Sequence, residues 1–108
     1  MTGSRASAVL ISAPDMETAE HIGRVLVEER LAASANAVPG VRSVYRWRGA
    51  VREASEALLV VKTASARVPA LAARVRDLHP YELPAVVALP VVDGGVAYLD
   101  WIVAESSE

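Results

Sequence analysis

The chain has 108 residues, a formal net charge of −2, 53% hydrophobic and 22% charged side chains, and neither cysteine nor phenylalanine. That is one domain's worth, and a chain this long buries roughly two thirds of its unfolded surface. The missing cysteine excludes disulfides, thiolate zinc sites and a catalytic thiol; the mild acidity argues against bulk nucleic-acid binding.

The chain is expected to be a single domain over 1–108, with residues 1–7 disordered. The apolar run Ala8 to Ala13 is too short for a signal-peptide core or a membrane span, so the expectation is a cytoplasmic protein with no membrane partner. Val9 and Ile11 mark a first strand that stops at Ala13-Pro14-Asp15, where Asp15 can cap a helix. From Met16 to about Leu31 the apolar residues Ala19, Ile22, Val25 and Leu26 recur at helical spacing, with Glu17, Glu20, His21 and Arg24 opposite. Ala33 to Arg48 alternates as a long strand bent at Pro39-Gly40. Gly49-Ala50 makes a tight turn, and Glu56 to Thr63 follows as a strand.

Ser65 can cap a second helix carrying Val68, Leu71, Val75 and Leu78 on one side, with Pro80 ending it after His79. Ala85 to Val92 reads as a strand with Pro90 near its end or on an edge. Val96 to Ala104 reads as a closing helix. The order β-α-β-β-α-β plus a C-terminal helix predicts an α+β, ferredoxin-like sandwich. Both helices then cover one sheet face. Val9-Leu10-Ile11, Leu58 to Val61 and Val86 to Leu89 are apolar on both faces, so the uncovered face predicts a homo-oligomer packed through its sheets.

Catalytic motifs do not emerge. No Gly-x-Ser-x-Gly turn or phosphate-binding glycine loop is present, the strands around Val9 and Val60 lack the aromatics of single-strand RNA readers, and no enzymatic activity is expected. His79-Pro80-Tyr81-Glu82-Leu83-Pro84 is the densest cluster of chemistry. An imidazole and a carboxylate at this spacing suit a borderline divalent metal; alternatively His79 caps the helix end and Glu82 pairs with an arginine. Tyr45 and Trp47 on a protruding hairpin have the character of interface anchors. Lys62, the only lysine, lies near a strand end, either solvated or within reach of an anion at a subunit cleft.

Seven stretches together resemble one family: Ser12-Ala13-Pro14-Asp15, Glu29-Arg30-Leu31-Ala32-Ala33, Val38-Pro39-Gly40-Val41-Arg42-Ser43, Tyr45-Arg46-Trp47-Arg48-Gly49, Lys62-Thr63, His79-Pro80-Tyr81-Glu82 and Tyr98-Leu99-Asp100-Trp101-Ile102. Over about Val9 to Val103 their order and spacing are those of the CutA family, the divalent-cation tolerance proteins. The resemblance implies a homotrimer built like the PII signalling proteins and an association with copper and other divalent cations, with His79 the best-matched ligand. The expectation is weak binding of Cu²⁺ or another divalent cation through His79, helped by Glu82 or by groups of a neighbouring subunit; the alternative is a PII-like signalling or scaffold trimer whose cleft, lined by Tyr45, Trp47, Lys62 and Tyr81, receives a small anion or a partner protein. Two departures bear on the metal: Ser34 stands where the family often has cysteine, removing a soft ligand, and Ala85 stands where a glutamate is usual.

Overall fold

In the computed structural model, which describes residues 5–107, the elements run β1 (Ala6–Ala13), α1 (Met16–Glu28), β2 (Ser34–Trp47), β3 (Ala50–Ala64), a short 3-10 turn (Ser65–Arg67), α2 (Val68–Leu78), β4 (Val86–Pro90) and α3 (Val96–Glu105). The four strands form one sheet in the order β2-β3-β1-β4, every neighbouring pair antiparallel. Each helical crossover therefore joins two strands with a third lying between them, which is the ferredoxin-like arrangement.

Alternation along the two central strands builds the core. Val9, Ile11 and Ala13 of β1 and Leu59 and Val61 of β3 point to the helices, where they meet Ala19, Ile22 and Leu26 of α1 and Leu71 and Val75 of α2, all at most 1% exposed. Burial of each larger member contributes about 1.5–3 kcal/mol. Gly23 is where α1 comes closest to the sheet: a Cβ there would lie 3.0 Å from the Ala35 Cβ and 3.2 Å from Leu59 Cδ1. Asp15 caps α1 as its sequence position suggests, its Oδ1 accepting from the Thr18 N–H at 2.7 Å. That bond holds the Asp15 carboxyl below the usual carboxylate range.

Beyond Glu29 the chain turns on Arg30, a non-glycine residue with φ 61°. Its guanidinium reaches the end of α3, donating to the Ala104 carbonyl at 3.1 Å and the Ser107 carbonyl at 2.9 Å. The Ala104 carbonyl is one that a helix end leaves unpaired, and a cation there complements the dipole.

Several local expectations shift. Ala6 and Ser7, expected in a disordered lead, belong to β1 and are buried, and residues 1–4 of that lead lie outside the described residues. Ser65 does not cap α2; it opens the 3-10 turn, and its hydroxyl bonds Ser7 Oγ at 2.8 Å. The hairpin turn sits one residue earlier than Gly49-Ala50: Arg48 and Gly49, with φ 50° and 80°, join Trp47 to its partner Ala50, the paired positive angles of a type I′ turn. In consequence β3 starts at Ala50 rather than Glu56, and β2 and β3 project as a two-stranded arm. Pro90 closes β4, an edge strand where a missing N–H is tolerated.

At Pro39-Gly40 the ladder slips, from Val38 opposite Leu58 to Val41 opposite Glu56. Two residues of β2 face one of β3, a bulge that Gly40 accommodates at φ 77°. Because strand side chains alternate, the extra residue exchanges the two faces of β2 from there on. Before it Ala35 and Ala37 point to α1 and α2; beyond it Tyr45 and Trp47 share with Glu56, Leu58, Val60 and Lys62 the opposite face, helix-free except at the end where Tyr98 of α3 meets Lys62. On that face Leu10, Leu58 and Val60 are half-buried, while Val38, Val87 and Leu89 are 42%, 52% and 46% exposed.

Candidate functional site

Pro80 cannot continue α2, so the chain leaves the helix at His79 and crosses the end of the sheet as an irregular loop, residues 79–85. His79 lies at the helix end as its position implies, but its imidazole does not meet the carbonyls of α2. It turns inward, only 7% exposed. Nδ1 accepts the Tyr81 N–H at 3.1 Å, and Nε2 lies 2.6 Å from the Ser12 carbonyl oxygen. A nitrogen that accepts from an amide carries no proton, so the ring is the neutral Nε2–H tautomer donating to Ser12. Both nitrogens are committed, and His79 ties the loop to the end of β1.

Tyr81 follows two residues on, its ring 4.7 Å from that of His79. The Tyr81 hydroxyl donates to Glu56 Oε2 at 2.7 Å. Burial, and then the Glu56 carboxylate, push the phenol far above its ordinary range; Tyr45 and Asp15 add smaller effects of the same sign. Tyr45 is brought to this cluster by the bulge in β2. Glu82 points away, to the tip of the arm, where its Oε1 accepts from Arg48 Nη2 at 2.9 Å. The Arg48 guanidinium carbon in turn lies 5.3 Å from the centre of the Trp47 ring, within range of a cation–π contact.

The six residues singled out in the sequence therefore separate into groups. Tyr81 meets Glu56, with Tyr45 near enough to act on the Tyr81 phenol, and Trp47 and Glu82 meet through Arg48. His79 anchors the loop beneath them. Lys62 stands apart, six residues along β3 from Glu56, which is about 20 Å of extended strand. There its Nζ donates to Asn36 Oδ1 at 2.8 Å and sits 5.9 Å from the Tyr98 ring centroid. Two residues the sequence reading passed over matter here: Glu56, which receives Tyr81, and Tyr98, which faces Lys62. Glu56 shares the parity of Leu58 and Lys62 along β3, so its place on the helix-free face was open to the alternation argument; the contact with Tyr81 was not.

As donors for a metal ion, the expected pair does not fit within one chain. A metal needs a nitrogen lone pair, and His79 has none left; Glu82 is held by a guanidinium. Among the described residues no group of three or more histidine, aspartate or glutamate side chains is placed to hold an ion, where a metal centre takes three or four protein ligands. A groove of about 530 Å³ runs along α1 and β2, lined by residues that include Met16, Glu20, Arg24, Val27 and Ala37. None of the six residues borders it.

Comparison with known proteins gives a consistent assignment. The sequence profile described as CutA1 divalent ion tolerance protein matches residues 7–105. A divalent-cation tolerance protein CutA of Thermus thermophilus is 53% identical over 94 residues, covering 87% of this chain and 91% of that protein. The human protein CutA is 46% identical over 96 residues, covering 89% of this chain and 54% of its own length, so the chain spans about half of that relative. Among solved structures, a divalent cation tolerance protein from Thermus thermophilus superimposes with a TM-score of 0.92 at 49% identity, covering 94% of this chain and 99% of that one. CutA from Xylella fastidiosa gives a TM-score of 0.92 at 41% identity, covering 96% of this chain and all of that one. With a ferredoxin-like sheet and similarity along nearly the whole chain, this protein belongs to the CutA1 divalent ion tolerance family.

Proposed function

We propose that this chain is a divalent-cation tolerance protein that works as a PII-like homotrimer, a binding protein rather than an enzyme. In this reading it takes copper or another divalent ion weakly, through an opened loop at His79 and Glu82, and not at a built metal centre. The observation that carries the assembly is the sheet face turned away from α1 and α2, where Leu10, Leu58, Val60, Val87 and Leu89 form a partly exposed apolar surface. Covering such a face with copies of itself removes it from water. The family description supports the metal part, and the committed imidazole sets its form: an ion reaching His79 must displace the Ser12 carbonyl or the Tyr81 N–H, which makes the affinity low.

Static light scattering at micromolar concentration tests the assembly; the mass of a monomer overturns it. Calorimetric titration with Cu²⁺ tests the metal part, since wild type and His79→Ala binding with equal affinity removes His79 from the site. A second reading follows from Tyr45, Trp47 and Lys62 sharing one face with Tyr81 bonded to it at Glu56. In that reading the assembly is a signalling or scaffold trimer whose cleft receives a small anion or a partner protein. Thermal-shift screens against metals and small anions separate the two, because a ligand specific for the folded state raises the transition temperature.

A further inference from the structure

Around Lys62, where α3 meets one end of the face turned away from α1 and α2, donors are plentiful and acceptors few. Lys62 makes no ion pair with any described residue; its partners, the Asn36 carboxamide oxygen and the Tyr98 ring, are both neutral. An ammonium has three N–H donors, and one of them is used by Asn36. Ser34 lies directly opposite Lys62 across the β2–β3 ladder, so the two side chains stand on the same face. The Ser34 hydroxyl is enclosed and has no hydrogen-bond partner among the described residues. Asn36 offers its oxygen to the ammonium, which leaves its amide N–H groups as further donors.

On the other side of Lys62 the ladder continues to Ala8 and then Leu89. Ala8 contributes only a methyl group to that row. Tyr98, stacked on Trp101 with ring centroids 5.4 Å apart, and Leu89 supply apolar neighbours. A cation beside apolar walls, with amide and hydroxyl donors near it and no carboxylate, is matched by an oxyanion, which makes short charge-assisted bonds with all three kinds of donor.

We infer that Lys62, Ser34 and Asn36 form an oxyanion site, walled by Tyr98, for the acid group of a small carboxylate or phosphate ligand. The site rests on the anion-binding reading above but not on the trimer, because every group in it comes from one chain. Glu56, the carboxylate on the same face of β3, is about 20 Å away along the strand and already receives the Tyr81 hydroxyl.

A single lysine makes the test direct, since protein labelled with ¹³C-lysine reports the Lys62 Cε as one signal. Phosphate, acetate and benzoate are titrated separately at constant ionic strength in sodium chloride. The Cε shift is expected to saturate with phosphate or with a carboxylate, the responding anion identifying the class of ligand. Ser34→Ala and Asn36→Ala are each expected to raise the Kd about five-fold; Ser34→Ala removes an unbonded hydroxyl and so keeps the wild-type fold, checked by circular dichroism. Linear, unsaturating drift with all three anions overturns the site, as does wild-type affinity in both variants. A Cε signal that moves in Glu56→Gln without added anion overturns it too, because the counter-charge is then a carboxylate of another copy. Light scattering on the same samples keeps the outcomes apart: a monomer with a saturating shift removes the trimer alone, and a trimer with linear drift removes the oxyanion site alone.

Discussion

His79→Ala separates a structural imidazole from a metal ligand. The substitution deletes both hydrogen bonds of the ring and leaves the Ser12 carbonyl and the Tyr81 N–H without their partner. Each lost bond is worth about 0.5–1.5 kcal/mol, and an unpaired buried group costs about 1–3 kcal/mol. Ser12 and Tyr81 are half-buried, so water entering the space left by the ring recovers part of that penalty. The buried ring also loses its packing against Tyr81. Together these give a destabilisation of about 2–4 kcal/mol. For a domain near this length each kcal/mol moves the midpoint by about 4–8 °C, so the Tm falls by roughly 8–32 °C. The assay is thermal unfolding followed by circular dichroism, at equal protein concentration because the chain is proposed to assemble, with and without EDTA. Chelator is expected to leave the wild-type Tm unchanged. A variant within about 0.5 kcal/mol of wild type, the range of a neutral surface change, refutes the anchoring role of His79; a wild-type Tm lowered by EDTA shows a bound metal ion that stabilises the fold and refutes the metal-free anchor.

Other substitutions probe the frame around the loop. Gly23→Ala adds about 1 kcal/mol of helix propensity but forces a Cβ to 3.0 Å from the Ala35 Cβ, which is fixed to its backbone; overpacking at about 1–3 kcal/mol wins, and urea unfolding should give a lower midpoint. Arg30→Ala keeps the positive φ and loses both bonds to the end of α3, whereas Arg30→Gly relieves the backbone, so in the same assay the glycine variant should be the more stable by about 1 kcal/mol. Arg48→Ala, breaking a pair whose side chains are 66% and 71% exposed, should change stability by less than about 1 kcal/mol; a larger loss in urea would mean the arm tip is held more firmly than its exposure implies. Tyr81 keeps its proton to higher pH in the folded chain than in the unfolded one. Its contribution is therefore complete below pH about 10 and is lost as pH rises beyond that, where the unfolded state binds fewer protons. Urea midpoints at pH 9 and 11 should fall less in Tyr81→Phe than in wild type; parallel falls would show that Tyr81 titrates normally.

The sequence by itself determined the order of elements, the helix faces, the Asp15 cap, the termination of α2 at Pro80 and the family. Each of these depends on periodicity, on a single residue's backbone chemistry, or on motifs in register, and such signals are local. The core face of β1 and β3 was not legible, since both strands are apolar on both sides; the register and the helices decide that Ile11 and Leu59 point into the core. Only the tertiary structure decided what the site residues touch. One bulge at Pro39-Gly40 moved Tyr45 and Trp47 to the face of Glu56, a change of side that alternation cannot register when its period is broken. The neighbours of His79, Ser12 and Tyr81, lie 67 residues upstream and two downstream, and only the packed fold brings the first of them near. Spacing in sequence suggested that His79 and Glu82 act together, but a loop that bends between them turned one inward to a carbonyl and the other outward to an arginine. Lys62, named for the same cleft as Tyr81, came to rest at the far end of the strand beside Ser34, Asn36 and Tyr98. Hydrogen bonds form between groups that packing makes neighbours, and a side chain's lone pair or charge is available for function only after those bonds are satisfied.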